Sequence, residues 1–454
     1  MVQKQGQKDR QKRSNRQGQR LVQVQNRQRN QRKCRQHLRQ RDTAVRKREG
    51  RKRRRKGRFW LGNAWSPRLG RKRSIRLNGI QRVNPPPYFV KNRVANRPDF
   101  LLPPPTMANR TAQQLHVSDR ALDLCLDADF IDLHIDTLIP QRLWGYDVFK
   151  RHGLGLLRGH FFGHLDLPRM TEQGVKGAMW SLTTNPLRPQ NQRWQVLQKN
   201  RLMLENLVTQ SRGQLQIARD VHEYQQARAA GAHAVLPAIQ GGHALAGAEN
   251  LDAWLADRWL TRVTVVHLVD SVYGATSSPL AWHKARKLRE EGRRVIEALD
   301  RARVFVDLAH IAAPAFWDAV EAHDPALPLI ATHTGVTGVR PHWRNLDDAQ
   351  LEAIGQSGGV VGVIYAANFM GRPQGPKDCH MVAEHLEHIA KVAGEHVPAI
   401  GSDYDGAIVP PPDMRDGMGH VRLVDALLTR GWGESQVRNV LGGNFLRSWA
   451  KLRP

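Results

Sequence analysis

Cysteine is scarce in this chain: Cys34, Cys125 and Cys379 are all there are, and no two have a paired spacing. That excludes a disulfide framework and a structural zinc site of the multi-cysteine kind. It suits a reducing compartment, and a cytoplasmic protein is expected. Long hydrophobic runs are missing as well. No stretch approaches the roughly 18 apolar residues of a membrane span, and the N-terminal stretch lacks the apolar segment of a secretory signal. Acidic residues are nearly absent from one end. Residues 1–100 hold 33 of the 70 Lys and Arg but only 4 of the 41 Asp and Glu, which leaves 37 of each in the remainder. The whole net charge of +29 therefore belongs to that end, and the rest of the chain is neutral.

Residues 1–106 are rich in Gln, Arg, Lys and Asn, with a basic knot at Arg51–Arg58 and proline clusters at Pro85–Pro87 and Pro103–Pro105. So little apolar surface cannot offset the entropy of ordering, so this extension is expected to be disordered. Three readings stand: an electrostatic arm for nucleic acid or another polyanion, a solvated tail, or an over-extended gene model with the true start at Met107. No other contact with nucleic acid is expected.

Residues 107–454 alternate strand-like and helix-like segments. Apolar or β-branched runs fall at 130–134, 177–183, 234–240, 263–267, 304–310, 329–333, 360–365 and 397–403. Segments of helical period lie between them, such as 202–208, 250–259, 291–300, 349–356 and 381–393. Eight strands alternating with helices predict an α/β fold with a parallel sheet, best suited to a (β/α)₈ TIM barrel of the metal-dependent hydrolase type. A doubly wound sheet is the runner-up, but no G-x-G-x-x-G turn follows the first strand. The last helix, 434–452, contains Gly442-Gly443, which marks a break or a close packing contact.

Chemistry in such a barrel sits at the C-terminal strand ends. Here those ends carry His134 and Asp136, Gln240, His267, His310, His333 and Asp403. His134-x-Asp136 alone is a weak signal, although residues two apart on a strand point the same way. Four histidines and two aspartates in equivalent places point to a metal site. Imidazole and carboxylate donors without thiolate suit Zn²⁺ or a similar ion at an open, catalytic site, and hence hydrolysis of an amide or ester-like bond. Asp403, outside the ligand set, is placed to handle the proton. By contrast, His160, His164 and Asp166 precede a strand and read as loop or capping residues. His385 and His388 read as surface, and Trp254 and Trp259 as packing.

The motifs His134-Ile-Asp136-Thr, His164-Leu-Asp-Leu-Pro-Arg, Gln240-Gly-Gly-His, Thr264-Val-Val-His267, Val306-Asp-Leu-Ala-His310, Thr332-His333-Thr, Arg344-Asn345, Gly401-Ser-Asp403-Tyr-Asp-Gly406 and Gly442-Gly-Asn-Phe-Leu-Arg447 follow one another in an order that resembles the renal (membrane) dipeptidase family of zinc peptidases. The resemblance covers about residues 125–451. It implies a (β/α)₈ hydrolase of dipeptides, tolerant of a D-residue on the C-terminal side. His134 and Asp136 would bind one metal and His310 and His333 another, with His267 stabilising the oxyanion. Arg344 would hold the substrate carboxylate, and Asp403 would act on the water and the substrate amine.

Two departures stand out: the family's metal-bridging glutamate falls at Gln240, and a carboxylate-holding tyrosine at Phe369. The first leaves one or two zinc ions per chain open. Rival readings are another amidohydrolase-type barrel, although no strand ends in the lysine many of those use, and a catalytically altered barrel acting on another small amide or only binding a ligand. A small dipeptide-like substrate is the expected partner; no membrane is expected, and a homodimer is left open.

Overall fold

The computed structural model describes residues 112–454 apart from Leu156, Pro186 and His283. The expectations for residues 1–106 lie outside the described residues. The eight expected strands are all present, and a ninth joins them: β1 Phe130–Ile135, β2 Val175–Ser181, β3 Leu215–Ile217, β4 His233–Gln240, β5 Arg262–Thr264, β6 Phe305–Asp307, β7 Ala331–Thr334, β8 Val361–Val363 and β9 Pro398–Ile400. Every strand pairing is parallel. One sheet runs β1-β2-β4-β5-β6 and the other β7-β8-β9. The unexpected β3 shares an edge of β4 with β5: it pairs along His233–Val235, and β5 along Ala238–Gln240.

The sheets curl towards each other at two seams. Leu308 N donates to Ile330 O (2.8 Å) on one side, while Asp136 N donates to Tyr404 O (2.8 Å) and Asp403 N to His134 O (3.0 Å) on the other. Because β1 is covered on both faces, all six of its residues are buried, which is why it reads as a mixed rather than an alternating strand.

Helices fill the connections, and the sequence marks their starts. Ser118, Asp166, Asp220, Asn250 and Asp347 each cap a helix by accepting a backbone N–H from the first turn. Asp347 forms a full capping box with Gln350, and that helix ends at Gly358 in the left-handed region (φ 81°). The segment expected to be helical over 250–259 is helical only over Leu251–Leu255.

The final helix runs Glu434–Arg438, passes through a π turn at Asn439–Gly443 and continues as Asn444–Leu452. The expected close contact is there: a Cβ on Gly442 would lie 1.7 Å from the Asp129 carbonyl oxygen, immediately before β1. Among the described residues no helix is long and apolar enough to cross a membrane. Cys125 and Cys379 are free and buried.

Candidate metal centre

The site is assembled just past the strand ends. His267, His310 and Asp403 stand three residues beyond β5, β6 and β9. Two of them hold unusual backbone: His310 has φ 65° and Asp403 φ 59°. Non-glycine residues pay strain there, and the surroundings must hold them in place. The turn at Asp403 folds its carboxylate back over β1.

The structure brings together every residue singled out from the sequence for metal binding. His134 Nε2 lies 3.6 Å from Asp136 Oδ2 and 3.4 Å from Asp403 Oδ1. His310 Nε2 and His333 Nε2 are 2.9 Å apart. The amide nitrogen of Gln240 is 3.5 Å from the first and 3.4 Å from the second. The His134 and His333 rings are 3.8 Å apart, and His267 meets His310 edge-on at 4.7 Å. His134, His333 and Asp403 each offer a donor atom within 4.8 Å of the others and form a group able to hold an ion. Asp403, expected from the sequence to lie outside the ligand set and to handle the proton, thus has a donor atom within reach of the candidate ligands. Arg344 is buried beside them, its Nη2 donating to His333 O (2.6 Å).

Burial sets the charge states. It drives the pKa of His310 and His333 well below the ordinary imidazole value and His267 down to about 3. Neutral imidazole is the form that ligates metal. Burial, joined by the neighbouring Asp136 charge, raises the Asp403 carboxyl well above the usual range. Burial would lift Asp136 too, but the neighbouring His134 imidazole and the Thr183 hydroxyl 2.5 Å from Oδ1 hold it low. His134 Nε2, His267 Nδ1 and His310 Nδ1 are buried without a hydrogen-bond partner. Buried polar atoms are seldom left so. Three neutral imidazoles and two carboxylates converging with an open nitrogen fit a divalent cation of the zinc type.

Sequence reasoning missed the layer beneath. Arg262, on β5, is fully buried; its Nη1 donates to Ile239 O (3.0 Å) and its Nη2 to Ser181 Oγ (2.9 Å) and to His134 Nδ1. A guanidinium can only donate, so this contact keeps Nε2 of His134 turned towards the carboxylates. Asp307 lies 3.4 Å from Arg262 and accepts from Thr264 Oγ1, Thr332 Oγ1, Ala309 N and Thr332 N. Burial alone would raise Asp307, and the Arg262 charge with these bonds holds it low. Asp132 accepts from His134 N and Ser402 N, which ties β1 to the β9 end. A lone arginine in an apolar strand, and an aspartate two before His134, were the available signals.

The residues set aside fare mostly as expected. Asp166 caps a helix, and His164 bridges Asp405 N and Gly159 O. Trp254 packs on Trp194, with the Arg201 guanidinium over both Trp254 and Trp259. His385 is the correction: it is fully buried, its Nδ1 accepting from Val336 N (2.9 Å) and its Nε2 donating to Met370 O (3.2 Å). It lies on the same stripe of helix His380–Ala393 as Val382, Leu386 and Ile389, and that stripe faces the core. His388 is half-buried and pairs with Asp348.

Known proteins share this arrangement of strands. The chain is 27% identical to the dipeptidase AC, a metallo-peptidase of family M19, whose structure superposes with a TM-score of 0.62 over 71% of this chain and 99% of that one. A metallo-peptidase from Rhodobacter sphaeroides, solved with a phosphinate mimic of the dipeptide L-Ala-D-Ala, is 24% identical and matches with a TM-score of 0.62 over 71% and 99%; it speaks to the fold alone. A Klebsiella pneumoniae protein, named only as uncharacterised in the pqqA 5′ region, is 29% identical over 56% of this chain and 93% of its own length. The profile of membrane dipeptidases matches residues 118–453, a span containing all the strands and site residues above, and the chain belongs to that family, peptidase family M19.

Proposed function

We propose that the chain is a zinc-dependent dipeptidase whose two sheets close at their seams into a (β/α)₈ barrel. The observation that carries this reading is the convergence of His134, His333 and Asp403 within 4.8 Å, next to Asp136 and His310 and above a buried arginine. His134, Asp136, His310 and His333 would hold the ion, with Asp403 in reach. When bound, the ion supplies Lewis acidity and a water acidic enough to attack an amide near neutral pH.

The chain's own groups do the rest. Arg344, whose Nε has no partner, faces the substrate carboxylate with a forked donor. His267 donates to the carbonyl oxygen as negative charge builds there. Asp403, its carboxyl pushed up by burial, exchanges the proton between the attacking water and the departing amine at its Oδ atoms. Phe369 stacks on His342 (4.8 Å) and offers no hydroxyl, so recognition of the carboxylate falls to Arg344.

A second reading, a barrel that binds a ligand or cleaves another small amide, is favoured by Gln240. With its oxygen 3.0 Å from Thr183 Oγ1, its NH₂ lies 3.5 Å from His310 Nε2 and 3.4 Å from His333 Nε2. That group donates to the nitrogens an ion would use, and it carries no charge to offset two cations. Purified protein assayed on a panel of dipeptides, with and without chelator, separates the two. Chelator-sensitive cleavage is expected. Bound metal with no cleavage of any dipeptide would favour the second reading.

A further inference from the structure

A cavity opens among the loops that follow the strand ends, and its walls are cationic. It has a volume of about 410 Å³ and is lined by Arg340, Arg372, Lys377, Arg415 and His160 with no acidic residue, over an apolar floor that includes Met381 and Val409. That size is ordinary for a small-molecule site. Its walls are loops that follow four different strands, pinned to one another through the backbone. Phe161 N donates to Ile408 O (2.8 Å) and Ala367 N to Val409 O (2.9 Å). Asn345 Nδ2 bonds both Arg340 O (2.9 Å) and Phe369 O (3.0 Å). The cleft is therefore preformed.

The cations in it are largely uncompensated. Among the described residues Arg372 is paired with Glu384, and Lys377 donates only to the carbonyls of Arg372 and Pro373. Among the described residues neither Arg340 nor Arg415 has a carboxylate partner, and Arg340 Nε is buried with no acceptor. Like charges gathered around a partly apolar hollow repel one another, and a bound anion relieves that repulsion. Guanidinium forks suit the oxygens of carboxylate and phosphate.

We propose that this cleft is a binding site for a small dianion, carrying carboxylate or phosphate groups, held by Arg340, Arg415 and Lys377. It is separate from the candidate metal centre but shares the loop that carries Arg344. The proposal does not depend on the dipeptidase reading.

Calorimetric titration of the full chain with inorganic phosphate and, separately, with succinate at fixed ionic strength tests it. Saturable binding of at least one is expected, and the tighter of the two names the head group. In Arg340→Gln/Arg415→Gln the affinity should fall roughly tenfold or more, as loss of charge-assisted bonds implies, with metal content unchanged. The basic extension is common to both proteins, so its own anion binding cancels in the comparison. If the double variant does not fold, Arg415→Gln alone, at a half-buried side chain without a partner, is read in the same way. No saturable binding by either anion, or equal affinity in the variants, overturns the proposal.

Discussion

Two sets of buried histidines show what separates a site from a core. On the flanks, His164, His233 and His385 have both ring nitrogens bonded to protein: His233, for example, accepts from Trp180 Nε1 (3.2 Å) and donates to Val175 O (3.0 Å). At the strand ends, His134, His267 and His310 each keep a buried nitrogen unbonded and crowd against other imidazoles and carboxylates. Burial is the same in both places, and it pushes imidazole pKa values down in both. The difference is satisfaction. A histidine whose two nitrogens are spoken for is a structural strut, while one with an open nitrogen among acceptors is available to a ligand.

The strongest test of this contrast is His310→Ala, which removes an imidazole with an open nitrogen. It should cut bound metal, and with it dipeptide turnover by about a hundredfold or more, while the melting temperature moves little. Elemental analysis showing full metal in this variant and in His134→Ala would break the comparison.

The next effect is on stability against pH. His233 and His385 are each pushed by burial from 6.5 to about 4. Above pH 6.5 they are neutral in both folded and unfolded chains and make no difference. As pH falls from 6.5 towards 4 only the unfolded chain takes up their protons, so stability declines by on the order of 3 kcal/mol per histidine. Denaturant titrations across that range should show the decline, and a variant lacking His233 should show a shallower one. Equal slopes would mean that the flank histidines are not held neutral.

His385→Ala comes third. It strands Val336 N–H and Met370 C=O and leaves a cavity, for a loss of about 2 to 4 kcal/mol with metal content unchanged. Loss of metal without loss of stability would move His385 into the other set. The smallest change expected is from Gln240→Glu. Replacing the amide with a carboxylate removes a competing donor and adds charge, so affinity for a second ion and dipeptide turnover should both rise, roughly tenfold. Two equivalents bound with equal tightness by the unaltered protein would contradict the role given to Gln240.

Strand ends were readable because apolar runs that stop at a polar, ligand-capable residue are visible in one dimension. β3 was not, since Leu215-Gln216-Ile217 forms no apolar run and stops at no ligand-capable residue. The Arg262–Asp307 pair escaped notice because the sequence does not say which strands are neighbours, and only adjacency of β5 and β6 makes the pair. His385 was misread for a different reason: its polarity was given more weight than its place on an apolar stripe. The backbone at Asp403 was not readable either, because a left-handed turn at a non-glycine residue has no signature in sequence.

The seam between β1 and the β9 end has a consequence in time. Asp132 waits for Ser402, which lies 270 residues further along the chain. At ribosomal rates of about 5 to 20 residues per second, that gap lasts roughly 15 to 50 s. Until Ser402 is made the first strand keeps an open edge, and His134 has no Asp403. A ribosome stalled between residues 333 and 403 holds a chain with four of the candidate ligands and no finished centre. A metal centre built from these residues could be completed only after residue 403 has been made.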